Sequence, residues 1–226
     1  MVNKLLIVCS VLLFVSMMVT IMFIPIRWRG HRKLPGYRLA YTFYNYYAKK
    51  KHQWLHKDLN IDVCMDNIRV VQSVFEQTNI NKWWMAEGSA LGIKRQKSLI
   101  RWDDDVDITV DYEHFDVFLS QAYKKLIAHG FLHVLNETRF PLMCFIRNGE
   151  KVDISFFSET FKVCSEGFMS GQTLAPHVSK IATVETDTGM KLPIPSEDSY
   201  YVALYGPNWK TPNRKSKSNQ KDLTPA

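Results

Sequence analysis

The sequence predicts a mixed α+β domain standing behind one N-terminal transmembrane helix. Three observations carry that expectation. Residues 5–26 form an apolar run without a charged side chain. Between residues 58 and 210, stretches with helical spacing alternate with short strand-like runs. Two of those strands are apolar on one face and carry carboxylates on the other. The 226-residue chain is 46% hydrophobic and 23% charged with ten Gly and nine Pro, a balance that excludes collagen-like, low-complexity and wholly disordered proteins. Four Cys are too few for a disulfide scaffold. The net charge of +7 is unevenly spread: residues 27–57 contribute +9, whereas residues 58–209 contribute −7. The domain is acidic, and nucleic acid, which requires a basic face on the domain, is set aside as a partner.

At 1.5 Å per residue, the run from Leu5 to Ile26 reaches about 33 Å, enough to cross a hydrocarbon core of about 30 Å. A cleavable signal peptide would have a shorter apolar stretch and a small-residue cleavage site. Pro25-Ile26-Arg27-Trp28-Arg29 offers no such site, so a retained signal-anchor and a single-pass membrane protein are expected. Arg27, Arg29, Arg32 and Lys33 follow the span, which by the positive-inside rule places the domain in the cytoplasm. The sequon Asn136-Glu137-Thr138 is usable only if the domain is lumenal. Residues 27–57 form a basic arm with Tyr37, Tyr41, Tyr44 and Tyr47 at helical spacing. It reads either as a helix on an anionic membrane surface or as one packing its tyrosines on the domain. The polar residues 211–226 read as a disordered tail.

Within residues 58–210, Ile61, Met65, Ile68, Val71 or Gln72, and Phe75 lie on one stripe and predict a helix ending by Asn79. Trp83 to Ala86 predicts a buried strand ending at Glu87-Gly88-Ser89, and Ala90 to Lys94 a short helix opened by Gly88-Ser89. A basic loop follows with Lys94, Arg95, Lys97 and Arg101, and then a strand from Trp102 to Val110. Phe115, Phe118, Leu119, Ala122, Tyr123 and Leu126 predict an amphipathic helix capped at Gly130. Leu142 to Arg147 and Glu150 to Phe157 flank Asn148-Gly149, a strong hairpin signal. Ser196 to Tyr205 predicts a last helix, stopped by Gly206-Pro207.

The chemistry concentrates in Asp103-Asp104-Asp105-Val106-Asp107-Ile108-Thr109-Val110. Side chains alternate across a strand, so Asp103, Asp105 and Asp107 share a face while Val106, Ile108 and Val110 face a core. Val152, Ile154 and Phe156 repeat the device, opposite Lys151, Asp153 and Ser155. Carboxylates brought together repel unless a cation neutralises them, and a hard divalent ion with oxygen ligands, Mg²⁺ or Mn²⁺, answers that need. A helix-loop-helix calcium site is excluded, because Ile108 and His114 stand where Gly and Glu are required. Gly88-Ser89, between a strand and a helix start, can offer backbone N–H groups and a hydroxyl to a phosphate, with Lys94, Arg95, Lys97 and Arg101 balancing its charge.

These segments together resemble a known family. Ala86-Glu87-Gly88-Ser89-Ala90-Leu91-Gly92-Ile93-Lys94-Arg95, continued by Leu99-Ile100-Arg101-Trp102-Asp103-Asp104-Asp105-Val106-Asp107-Ile108, is similar to the signature of the LicD family, which includes fukutin and fukutin-related protein. Val152-Asp153-Ile154 resembles its second carboxylate motif, and Tyr205-Gly206-Pro207-Asn208-Trp209 its closing element. The resemblance covers roughly residues 61–210, with departures at Ser89, Ser98 and Arg101. It implies a nucleotidyltransferase-like mixed sheet flanked by helices in a catalytic domain over residues 58–210. It also implies transfer of a phospho-alcohol, of the phosphocholine or ribitol-phosphate kind, from a CDP-alcohol donor to a glycan or glycoconjugate acceptor, releasing CMP. By matching position, Asp105 and Asp107 bind metal, and Asp153 completes the metal site or serves as base. For an animal-type enzyme it implies a Golgi or ER membrane protein with a lumenal domain.

Other residues divide between functional and structural readings. Glu87 touches the metal shell or an acceptor sugar, or else pairs with Arg95. Trp102 stacks on a base or sugar, or else packs under the site. His114, His129, His133 and His177 show no zinc-ligand spacing with one another or with the cysteines. Two rival functions stand beside the transferase: a glycosyltransferase using Asp105-Val106-Asp107 for a metal–nucleotide sugar, and an inactive membrane-tethered scaffold.

Overall fold

The computed structural model describes residues 58–134, 142–158, 178 and 180–212. The apolar run 5–26, the basic arm, the Asn136 sequon, Cys164, His177 and the tail beyond Pro212 lie outside these residues. Among the described residues no helix is long and apolar enough to cross a membrane.

Helix α1 (Ile61–Gln77) forms where the apolar stripe predicts it, opened by Asn60, whose Oδ1 accepts the Val63 N–H at 3.3 Å. Its inner face buries Cys64, Met65, Ile68, Val71, Val74 and Phe75. One polar residue, Asn67, is buried among them and is fully engaged: its Nδ2 donates to the Arg147 carbonyl at 3.0 Å and its Oδ1 accepts from Arg147 at 2.8 Å. Arg147 also meets the half-exposed Asp66 at 2.6 Å, so a partly buried polar cluster fixes α1 to the sheet.

The sheet contains β1 (Trp83–Met85), β2 (Val106–Asp111), β3 (Leu132–Val134), β4 (Leu142–Arg147) and β5 (Glu150–Phe157), in the order β1-β2-β5-β4-β3. Only β2 and β5 pair in parallel, with Asp107 opposite Asp153 and Ile108 opposite Ile154. The remaining pairs are antiparallel. Asn148 and Gly149 take φ of 53° and 85°, the positive values a tight two-residue hairpin turn requires, and join β4 to β5 in the predicted register. Val106, Ile108 and Val110 are buried on one face with Val152, Ile154 and Phe156. Phe118, held on the chain between β2 and β3, makes edge contacts with Phe75, Phe145 and Phe156 and closes that core.

Three features depart from expectation. Helix α2 (Glu87–Gln96) starts at Glu87, so Gly88 and Ser89 lie in its first turn rather than in a turn ahead of it. Strand β2 starts at Val106, not Trp102; residues 101–105 instead form a turn in which the Asp103 N–H meets the Ile100 carbonyl at 3.0 Å. Adjacent aspartates favour turns over ladders, so Asp103 is not on the strand face assigned to it. The amphipathic helix after β2 is segmented: a 3₁₀ turn (Tyr112–His114), α3 (Phe115–Val117), a π turn (Phe118–Ala122) and α4 (Tyr123–Ala128). Gly130 follows with φ of 86°.

Beyond Ser158 the sequence predicts only a helix, which appears as α5 (Asp198–Tyr205), ending at Gly206. The structure adds a hairpin, β6 (Ile181–Glu185) and β7 (Lys191–Pro195). It buries Leu192 and Ile194 in the main core. Gly92 marks the closest approach of α2 to the loop after it: a Cβ there would lie 2.5 Å from the Ser98 carbonyl oxygen and 2.9 Å from the Ile100 nitrogen. Both are backbone atoms and cannot rotate away, so Gly92→Ala is expected to lower stability by about 1–3 kcal/mol, measured by denaturant unfolding.

Candidate active site

The parallel pairing of β2 and β5 sets Asp107 beside Asp153, and Asp105, two residues before Asp107, joins them from the end of the turn. One oxygen from each of Asp105, Asp107 and Asp153 lies within 4.8 Å of the others. Asp153 is 7% exposed, and its Oδ1 is buried with no hydrogen-bond partner. Three convergent hard oxygens and an orphaned buried carboxylate oxygen fit a divalent ion such as Mg²⁺ or Mn²⁺. Asp103, Asp104 and Asp105 form a second acidic group on the preceding turn. Among the described residues no histidine belongs to such a group.

Burial and mutual repulsion dominate the electrostatics. Burial, followed by Asp105, Glu87, Asp153 and Asp103, holds the Asp107 carboxyl well above its ordinary range. Burial raises Glu87 to about 7, helped by Asp105, Asp153 and Asp103. Burial also raises Asp153, to about 6, against the opposing pull of Lys151. Lys151 reaches into the group, its Nζ 2.6 Å from Asp105 Oδ2 and 2.7 Å from Asp153 Oδ2. Burial works against its charge, but the two carboxylates outweigh that cost and hold it above the ordinary lysine range.

The other expected residues are placed as follows. Among the described residues Glu87 makes no ion pair with Arg95, and its carboxyl feels the charges of Asp105, Asp153 and Asp103. Its backbone takes φ of 43°, an uncommon conformation for a side-chain-bearing residue, and its N–H donates to the Tyr200 hydroxyl at 3.0 Å. Gly88 gives Asp103 room: a Cβ there would collide with Asp103 Oδ2. Ser89 is 2% exposed, and its Oγ accepts the Asp107 N–H at 2.9 Å, so this hydroxyl locks α2 onto the first residues of β2.

Lys94 and Arg95 occupy the last turn of α2 and turn toward the C-terminal segment. Lys94 donates to the Ser196 carbonyl at 2.7 Å and pairs with Asp198 at 3.4 Å, and Arg95 donates to the Trp209 carbonyl at 3.4 Å. Trp102 is half-buried and packs on the core. The sequence assigned no role to Lys151 or Tyr200, and placed Tyr205 only in the closing element of the resemblance. Lys151 was visible as the strand residue two before Asp153, hence on the same face. Tyr200 and Tyr205 are pushed up by burial, with the Glu87 and Asp107 carboxylates adding to it.

The α+β domain thus gathers carboxylates at two parallel neighbours of one mixed sheet. Residues 79–177 match the family model described as LicD/FKTN/FKRP, nucleotidyltransferase domain. No curated protein matches the chain. Two solved structures are similar at low identity. ANT(2″)-Ia in complex with adenylyl-2″-tobramycin is 13% identical, with 69% of this chain and 84% of that chain covered and a TM-score of 0.39. A putative nucleotidyltransferase from Thermotoga maritima is 18% identical, with 74% and 96% covered and a TM-score of 0.39.

The raised carboxyls set a pH dependence of stability. Glu87 and Asp153 have folded values of about 7 and about 6, above their ordinary 4.5 and 3.8. The folded metal-free protein therefore binds more protons than the unfolded chain between about pH 4 and pH 7, and its stability falls as pH rises through that window. In a chelator, the melting temperature should drop by several degrees from pH 5 to pH 8, and Mg²⁺ should restore most of the loss at pH 8; scanning calorimetry checks both.

Proposed function

We propose that this protein is a divalent-metal-dependent phosphotransferase of the LicD type. It moves a phospho-alcohol, of the phosphocholine or ribitol-phosphate kind, from a CDP-activated donor to a glycan hydroxyl. The observation that carries the reading is the gathering of Asp105, Asp107 and Asp153 oxygens within 4.8 Å beside the partnerless Oδ1 of Asp153. The match of residues 79–177 to the LicD/FKTN/FKRP model supports transferase chemistry at that place.

Asp105, Asp107 and Asp153 would hold Mg²⁺ or Mn²⁺, which supplies charge neutralisation and polarisation of a phosphoryl oxygen. The acceptor hydroxyl attacks the donor phosphorus, the bond to CMP breaks, and a carboxylate of the cluster receives the hydroxyl proton. Such transfer asks for positioning and charge balance more than covalent chemistry. Ser89 positions Asp107 through its backbone, and Tyr200 positions Glu87. Lys94 and Arg95 hold Ser196, Asp198 and Trp209, so a divalent ion at Asp105, Asp107 and Asp153 would supply the main share of the charge that balances the donor. Residues 5–26 serve in this reading as a retained anchor and residues 27–57 as the arm beside it, holding the domain at a Golgi or ER membrane where glycoconjugate acceptors are presented.

The full chain in detergent, incubated with a panel of CDP-alcohols and Mg²⁺, should release CMP with one of them and none in a chelator. Asp107→Asn should lower that rate by roughly 100-fold or more while the protein remains folded by circular dichroism. Release of UDP or GDP from nucleotide sugars instead would make the protein a glycosyltransferase.

A further inference from the structure

We propose that Lys151 is the built-in counter-ion of the carboxylate centre, bridging Asp105 and Asp153 in the metal-free protein and giving up that bridge when a divalent cation enters. The inference rests on the metal-centre reading above and adds to it the nature of the binding event, an exchange of one cation for another.

Strand register creates the bridge. Val152 stands opposite Val106 across the parallel pair, which brings Lys151 level with Asp105, and side-chain alternation puts Lys151 on the face of Asp153. The ammonium then lies 2.6 Å from Asp105 Oδ2 and 2.7 Å from Asp153 Oδ2. These are short, charge-assisted contacts to two of the three residues that offer metal oxygens. The side chains of Lys151, Asp105 and Asp153 are 15%, 17% and 10% exposed, so water screens their charges little. An ammonium and a divalent ion drawn to the same carboxylates at such separations repel strongly. A lysine stem has four rotatable carbons, so the ammonium can swing away without moving β5. Without the bridge, the metal-free protein would hold neighbouring buried carboxylates with less compensation.

The sign of one mutation separates this role from simple positioning. A lysine that only orients Asp105 and Asp153 would weaken metal binding when lost, whereas a counter-ion that competes with the metal would strengthen it. Full-length wild type, Lys151→Met and Lys151→Arg are titrated with Mn²⁺ in the absence of nucleotide, by calorimetry and by the paramagnetic resonance signal of free Mn²⁺. Lys151→Met should bind roughly tenfold tighter or more. Lys151→Arg, which keeps the charge, should stay within about threefold of wild type. Equal or weaker binding by Lys151→Met overturns the counter-ion proposal and leaves the metal centre standing. Absence of Mn²⁺ binding in all three proteins overturns both.

A second measurement does without Lys151→Met, should that variant fail to fold. The slowly exchanging lysine ammonium resonance, assigned by its absence from Lys151→Arg, should shift or disappear on saturation with Mg²⁺. An unchanged resonance in metal-saturated protein overturns the exchange.

Discussion

The parallel pairing of β2 with β5 is the constraint on which the rest of the domain depends. It places Asp107 directly across from Asp153, and the same ladder turns Val106, Ile108, Val152 and Ile154 into the core. The apolar face and the acidic face are thus one arrangement seen from two sides, since a strand cannot slip by one residue without exchanging them. Burial of the valines and isoleucines fixes the register, and the register then forces carboxylates together that would separate if free to do so. The hairpin turn at Asn148-Gly149 and the Arg147 contacts to Asp66 and Asn67 hold the start of β5, so relief by sliding is closed off.

The charge arrangement follows from that enforced proximity. Burial and mutual repulsion raise Asp107, Glu87 and Asp153, while Lys151 partly offsets the repulsion from within the group. Natural folds keep such strain where a ligand relieves it, and perturbed carboxyls that share a cluster mark functional sites for this reason. Two details show the surroundings adapted to the acids. Gly88 leaves space for the Asp103 carboxyl, and Ser89 uses its hydroxyl to hold the Asp107 backbone.

Much of this was readable in the residues because it obeys short-range periodicity. The α1 stripe, the β4–β5 hairpin and the alternation of Val106, Ile108 and Val110 are local patterns, and each formed where the spacing placed it. The convergence of Asp105, Asp107 and Asp153 followed from two such strands and a family resemblance. What was missed depends on distant partners. Pro193 and Pro195 disguise β7, because proline cannot donate to a ladder; as half of a two-stranded sheet the strand tolerates them. Asp103 was assigned to a strand face because alternation was extended through residues where a turn prevails. The bridging position of Lys151 required knowing which strand lies beside β5, and Arg95 was drawn to Trp209 by a segment more than a hundred residues later.

The hydroxyl of Tyr200 reaches the backbone of Glu87 across 113 residues of sequence. Helix α5 is therefore the closing piece of a centre whose other parts come from much earlier in the chain. A ribosome delivering the polypeptide would have exposed every carboxylate of the cluster before that hydroxyl emerged. The nascent chain consequently completes the surroundings of its carboxylate cluster late, a temporal order imposed by where one tyrosine sits.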